Sequence, residues 1–213
     1  MKHGLTSAEH QKIDVSDAMS PAYEFLKTLD HPTVLDIGGG GGRDITAMYN
    51  FLGGQGRFIN MDYDPQRARD AQSLHPDMFI VTSDASDLKP ITDQDKIAYI
   101  VNDVLRLDLP EDMKADFILS LALTMFITEE SLENYAEAIV DNIKPGGRVF
   151  HSHSIDRPVP TDPEKSQYPN GYHHHSVSKL TDIFEKLGCE VQELEPTQDG
   201  RGFDWYRLNI TAP

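Results

Sequence analysis

The chain has 213 residues and a mass of 23.9 kDa, the size of one ordinary domain with a real core. Lys and Arg number 19 against 35 Asp and Glu, a formal charge of −16 with the nine histidines neutral; this excess disfavours nucleic-acid and anionic-membrane partners, which reward clustered Lys and Arg. The longest apolar stretch, Phe117 to Ile127, is 11 residues interrupted by Ser120 and Thr124, too short for the roughly 18 residues of a bilayer span. The amino terminus has no apolar signal region and Cys189 has no second cysteine to pair with, so a reducing, cytoplasmic setting is expected.

Apolar runs and helix-period stretches alternate along the chain, the pattern of βα units winding a mostly parallel sheet. Residues 1–19 are polar and weakly patterned. Pro21 opens a short helix in which Ala22, Phe25, Leu26 and Leu29 share a face. Residues 33–37 read as a buried strand, broken by the five glycines Gly38 to Gly42 before a helix from about Asp44 to Leu52. A second strand runs from Arg57 to Met61 and stops at Asp62; a helix over 65–74 follows. Met78 to Thr82 is a candidate strand without an assigned place, and Ile97 to Asn102 is the next reliable one. Asp103 to Pro110 is turn-like, and Phe117 to Leu123 reads as a buried strand. Thr128 caps a helix carrying Leu132, Tyr135, Ala136, Ile139 and Ile143, which Lys144-Pro145-Gly146-Gly147 closes. Arg148 to about His153 is the fifth core strand. Four prolines between Ser154 and Tyr172 mark a long loop, a helix from Val177 to Leu187 follows, and Cys189–Leu194 with Phe203–Ile210 form an antiparallel finish.

A strand, a glycine turn and a helix make a nucleotide-accepting corner, because glycine admits close backbone approach and the helix start offers unpaired N–H groups. The dinucleotide spacing G-x-G-x-x-G fails here: counted from Gly38 its third glycine falls on Arg43, and from Gly39 on Asp44. The segment VLDIGGGGGRD instead resembles motif I of the class I S-adenosylmethionine (SAM)-dependent methyltransferases, an acidic residue (Asp36) followed by G-x-G-x-G (Gly38, Gly40, Gly42). The resemblance continues through FINMDYDP, VNDVLRLDLP, ADFILSLAL and KPGGRVF, in order over residues 34–150. It implies a Rossmann-like α/β fold with a seven-stranded, mostly parallel sheet whose last strand is antiparallel. The chain is then a single domain over 1–213, with an N-terminal helical cap (1–30) and a lid that includes the loop 154–175.

The same resemblance implies site residues. Asp62 would accept both ribose hydroxyls with Tyr63 beside it, Asp103 the adenine amino group with Val104 offering its N–H, Asp36 would orient the amino end of the methionine moiety, and Ser120 would line the cofactor. Asp84, in SDASDL, competes with Asp103. The favoured one is Asp103, because Asp116 lies 13 residues after it and 32 after Asp84. Methyl transfer from a sulfonium needs alignment above all, with a base where the acceptor carries a proton.

Five of the nine histidines fall in 151–175: His151, His153, His173, His174 and His175. His151 and His153 alternate on one strand, so both rings face one side. Either as general base, with His174 and Tyr172 near the acceptor, is the leading reading. A divalent metal held by the cluster, and a solvated polar loop, stay open beside it. The expected reaction transfers a methyl group from SAM to an oxygen or nitrogen of a small molecule, leaving S-adenosylhomocysteine (SAH), in a monomer or homodimer without nucleic-acid or membrane partners. A protein or peptide methyltransferase and a non-catalytic interaction subunit are the alternatives.

Overall fold

A computed structural model describes residues 19–154, 173–198 and 204–213. Eight strands are found among them: β1 (Thr33–Ile37), β2 (Arg57–Asp62), β3 (Phe79–Thr82), β4 (Ile97–Val101), β5 (Ala115–Leu121), β6 (Ile143–Ser154), β7 (Glu190–Gln198) and β8 (Asp204–Thr211). They form one sheet in the order β3-β4-β2-β1-β5-β6-β8-β7. β1 pairs in parallel with β2 and β5, and β4 in parallel with β2 and β3. Only β8 runs against its neighbours, β6 and β7. The expected Rossmann-like architecture with an antiparallel last strand is present. The eighth strand is the 78–82 segment, which takes the edge beyond β4.

Among the described residues six α-helices flank the sheet: α1 (Ser20–Leu26), α2 (Arg43–Phe51), α3 (Pro65–Leu74), α4 (Leu88–Thr92), α5 (Leu132–Asp141) and α6 (Val177–Lys186). Alternation along the strands splits the core in two. Val34, Phe58, Tyr99, Phe117 and Phe150 pack with Ala22 and Leu26 of α1, Ile45 and Met48 of α2, and Ala68 and Ala71 of α3. Leu35, Ile59, Ile100, Ile118 and Leu208 pack with Leu88 of α4, Tyr135 and Ile139 of α5, and Leu180 and Phe184 of α6. β1 is buried at all five positions, as expected of a central parallel strand covered on both faces.

Boundaries differ from the sequence reading in several places, two of which reshape the region around the site. β5 stops at Leu121 because Ala122 adopts φ 59°, which reverses the chain. α5 stops at Asp141, and Ile143 opens β6 rather than closing the helix. The expected lid and Tyr172 fall largely or wholly on 1–18 and 155–172, outside the described residues.

Candidate active site at the carboxyl ends of the strands

The five glycines cross from β1 to α2 in a tight sequence of turns. Gly38, Gly40 and Gly42 have φ of 72°, 52° and 75°, so the three positions that the motif I resemblance picks out are the three of the five with left-handed backbone. Gly38 and Gly39 both donate to the Met61 carbonyl, at 2.8 and 3.0 Å, stitching the loop to the end of β2. One residue further, the Gly40 N–H donates to Asp62 Oδ2 at 3.0 Å, and the Asp64 N–H to Asp62 Oδ1 at 2.9 Å. The carboxylate is thereby oriented with lone pairs to spare. Burial raises its pKa from the ordinary value against the pull of these bonds. Tyr63, next to it, is 60% exposed.

Asp36 lies beneath the loop, buried, with Oδ2 unpartnered among the described residues. Desolvation raises its pKa well above the carboxylate range, and Asp44 and Asp62 add to this. At Gly39 there is no room for a side chain: a Cβ would lie 2.1 Å from Asn60 Oδ1 and 2.7 Å from Asp36 Oδ2.

The two competing aspartates are locally alike. Asp103 Oδ1 accepts from the Leu105 N–H at 3.1 Å and Asp84 Oδ1 from the Ser86 N–H at 2.9 Å; both side chains are exposed caps of 3-10 turns. The Ser86 bond holds the Asp84 carboxyl below its usual value. Their strands separate them. β4 is the direct neighbour of β2, and Asn102 N–H donates to the Asp62 carbonyl at 3.1 Å, so Asp103 and Val104 emerge beside Asp62. Asp84 follows β3, one strand further out.

Ser120 is fully buried and its hydroxyl sits 2.6 Å from the Tyr135 hydroxyl. The chain continues to His151, whose Nδ1 is 3.4 Å from Tyr135 and whose Nε2 is 3.5 Å from Thr124 Oγ1. Burial, then the neighbouring His153 and His175, pushes the His151 pKa well below its usual value, keeping it neutral. His153 faces the same side, with ring centroids 5.3 Å apart. Its Nε2–H donates to the His175 carbonyl at 3.1 Å, which fixes the tautomer and leaves Nδ1 as a buried lone pair without a partner among the described residues. Burial pushes its pKa down to about 4.

The second histidine group does converge on the first, through a different member. His174 is exposed, whereas His175 is buried. His175 Nε2 faces the Ile127 carbonyl at 2.8 Å and Nδ1 faces Glu129 Oε2 at 3.3 Å; Glu129 is also ion-paired with Lys179. His173 stacks on His175 and donates its backbone N–H to Met125. No three His, Cys, Asp or Glu among the described residues are placed to hold a metal. Residues missed from the sequence are Asn60, Tyr99 and Glu129, while His175 was marked only as one of the clustered histidines. No spacing marks them, since each acts on a partner many residues away. A cleft lined by His31, Tyr49, Gly54, Arg57 and Asp93 opens at the opposite ends of the strands, away from all of these groups.

No protein-family model and no curated protein sequence matches the chain. Solved structures do. Magnesium protoporphyrin IX methyltransferase (ChlM) from Synechocystis PCC 6803, with bound SAM, superposes with a TM-score of 0.64 at 12% identity over 100% of this chain and 87% of that chain. The N-methyltransferase NodS from Bradyrhizobium japonicum WM9 gives 0.57 at 14% identity, over 94% and 99%. The cyclase SpnF gives 0.63 at 12% identity, over 92% and 82%. No helix among the described residues is long and apolar enough to cross a membrane.

Proposed function

From the premise that the chain has the class I SAM-dependent methyltransferase fold, we propose that it binds SAM at the glycine loop and transfers the methyl group to an oxygen or nitrogen of a small molecule. The observation that carries this reading is the Gly40–Asp62 contact. A left-handed glycine turn presents its backbone to a carboxylate at the end of the next strand, in the arrangement that recognises a ribose diol beside a helix start.

The residues present fit the cofactor. The positions a Cβ would take at Gly40 and Gly41 are open for 4 Å, Asp36 keeps an unpartnered acceptor, and Asp103, Val104 and the exposed Tyr63 ring flank Asp62. When bound, SAM supplies an already activated methyl group. The protein's part is to bind the nucleoside between Asp62 and Asp103, orient the methionine end over Gly38 to Gly42, and hold a base for the acceptor proton. Alignment of this kind is worth roughly 7–11 kcal/mol.

For the base the reading narrows to His153. Its Nδ1 lone pair is buried and unpartnered, its tautomer is set by the His175 carbonyl, and its low pKa keeps it unprotonated at neutral pH. His151 has both nitrogens on hydroxyl groups and supports His153 from behind. The fold of SpnF shows that this architecture also hosts a cyclase, so the test begins at the cofactor. Calorimetry with SAH is expected to show micromolar binding; no heat at millimolar SAH would overturn the reading and favour the interaction subunit. A screen of small-molecule acceptors with methyl-labelled SAM follows, with His153→Gln expected to lose about 10²–10⁴-fold in rate.

A further inference from the structure

The register of the sheet places Asp36 on β1 opposite Asn60 on β2, and Asn60 opposite Tyr99 on β4. Paired residues of parallel strands project to the same face, so the three form one polar row across three strands, all buried, directly under the glycine loop. A polar row in the middle of a covered sheet is costly unless it is used. Tyr99 donates its hydroxyl to the Gly40 carbonyl at 2.6 Å and Asn60 donates Nδ2 to the same oxygen at 3.4 Å. Gly40 is therefore gripped at both ends, its carbonyl from below and its N–H by Asp62. The Gly39 α-carbon rests on Asn60 Oδ1 and Asp36 Oδ2, the contact that leaves no space for a Cβ.

The edge strand beyond the expected seven adds a second brace. Phe79 of β3 has its ring against Gly42, where a Cβ would come within 2.4 Å of Cζ, and packs on Tyr99 with centroids 6.2 Å apart. Gly42 is the cap of α2 and has φ 75°, so this ring fixes the place where the loop enters the helix.

We propose that Tyr99, with Asn60 and the Phe79 brace, is a positioning residue for cofactor binding: it holds the Gly40 backbone in the conformation that orients Asp62. This rests on the SAM-binding reading above. Tyr99 is buried beneath the loop with its hydroxyl on the Gly40 carbonyl, so it acts through Gly40. Removing it frees the loop to sample conformations in which Asp62 loses its backbone partner, and the cofactor then has to order the loop on binding.

The experiment measures SAH binding by calorimetry for the wild-type protein, Tyr99→Phe and Thr92→Val, with thermal melts of each. Thr92 also carries a buried hydroxyl bonded to a backbone carbonyl, that of Leu88, but on α4 away from the loop, so its loss reports the general cost of such a deletion. Tyr99→Phe is expected to weaken SAH binding about five- to tenfold, the worth of one neutral hydrogen bond. Thr92→Val is expected to stay within twofold while melting earlier by a similar amount. Equal weakening in both variants, or none in Tyr99→Phe, overturns the positioning role; absence of binding in the wild-type protein overturns the SAM reading instead. If Tyr99→Phe does not fold, Phe79→Leu, which keeps every hydrogen bond and withdraws the ring from Gly42, is judged by the same two outcomes.

Discussion

Gly39 and Gly41 look interchangeable in a run of five glycines, yet their surroundings differ completely. A methyl group on Gly39 would collide with Asn60 and Asp36, whereas nothing lies within 4 Å of the Cβ position of Gly41, and its φ is outside the left-handed region. Gly39→Ala is therefore expected to cost about 1–3 kcal/mol of stability and more than tenfold in SAH affinity. Gly41→Ala should stay within about 0.5 kcal/mol. Melting curves and calorimetry on the two variants check this. The alternating register Gly38, Gly40, Gly42 was legible only through the resemblance to motif I, because in a run of five glycines residue type does not say which three take positive φ. Gly39 was not, because its restriction comes from Asn60, 21 residues on. His153 carries a second residue-scale prediction. Its pKa in the fold is about 4 against an ordinary 6.5, so the unfolded chain takes up the proton first as pH falls. The stability that a neutral His153 contributes is thus complete above pH 6.5, declines between 6.5 and 4, and levels off below. The total is roughly 3 kcal/mol. Buried His151 adds a change of the same sign. Urea unfolding at pH 7 and pH 5 is expected to show a smaller loss in His153→Gln than in the wild-type protein.

At the scale of elements, the segment between β4 and β5 carries Asp103 and Val104 but has no regular structure beyond short 3-10 turns. Its anchor is Asn142, the residue that ends α5. Asn142 Oδ1 accepts from the Leu109 N–H at 2.7 Å, and Nδ2 donates to the Leu107 and Ala138 carbonyls at 2.9 and 2.7 Å. Leu107, Leu109 and Met113 are buried on either side of these bonds. Asn142→Ala strands two backbone groups in the core, and a loss of about 2–4 kcal/mol in denaturant unfolding is expected. The polar and proline residues of 103–110 mark a turn, but nothing local marks what holds it, since the anchoring side chain lies 33 residues downstream of Leu109. Ala122 is a similar case. An alanine with φ 59° is strained by roughly 1 kcal/mol, and no residue type announces it. Its turn brings Leu123 back over Gly38, within 3.0 Å of where a Cβ would sit.

At the scale of the whole molecule, the repeated strand, turn and helix sufficed to predict a mostly parallel, doubly covered sheet, with an antiparallel finish after the last helix. The regularities behind this are short-ranged: apolar strands of four to seven residues, helical spacing, and glycine or proline at the joints. Residues 78–82 were legible as a strand but not as a place, because a four-residue edge strand, only one of its residues buried, leaves no period strong enough to say which neighbour it joins. Its position beyond β4 sets Asp103 beside Asp62 and Asp84 one strand away, and it brings Phe79 to the glycine loop.

The amino-acid sequence by itself determined the βα alternation, the glycine break after the first strand and the acidic residue at the end of the second, since each depends on residues close together in the chain. Only the tertiary structure decided which aspartate neighbours Asp62, which further glycine has no room for a side chain, and that His175 rather than His174 joins His151 and His153. Those outcomes depend on strand order and register. Both are set by packing between segments tens of residues apart, on which no local pattern reports.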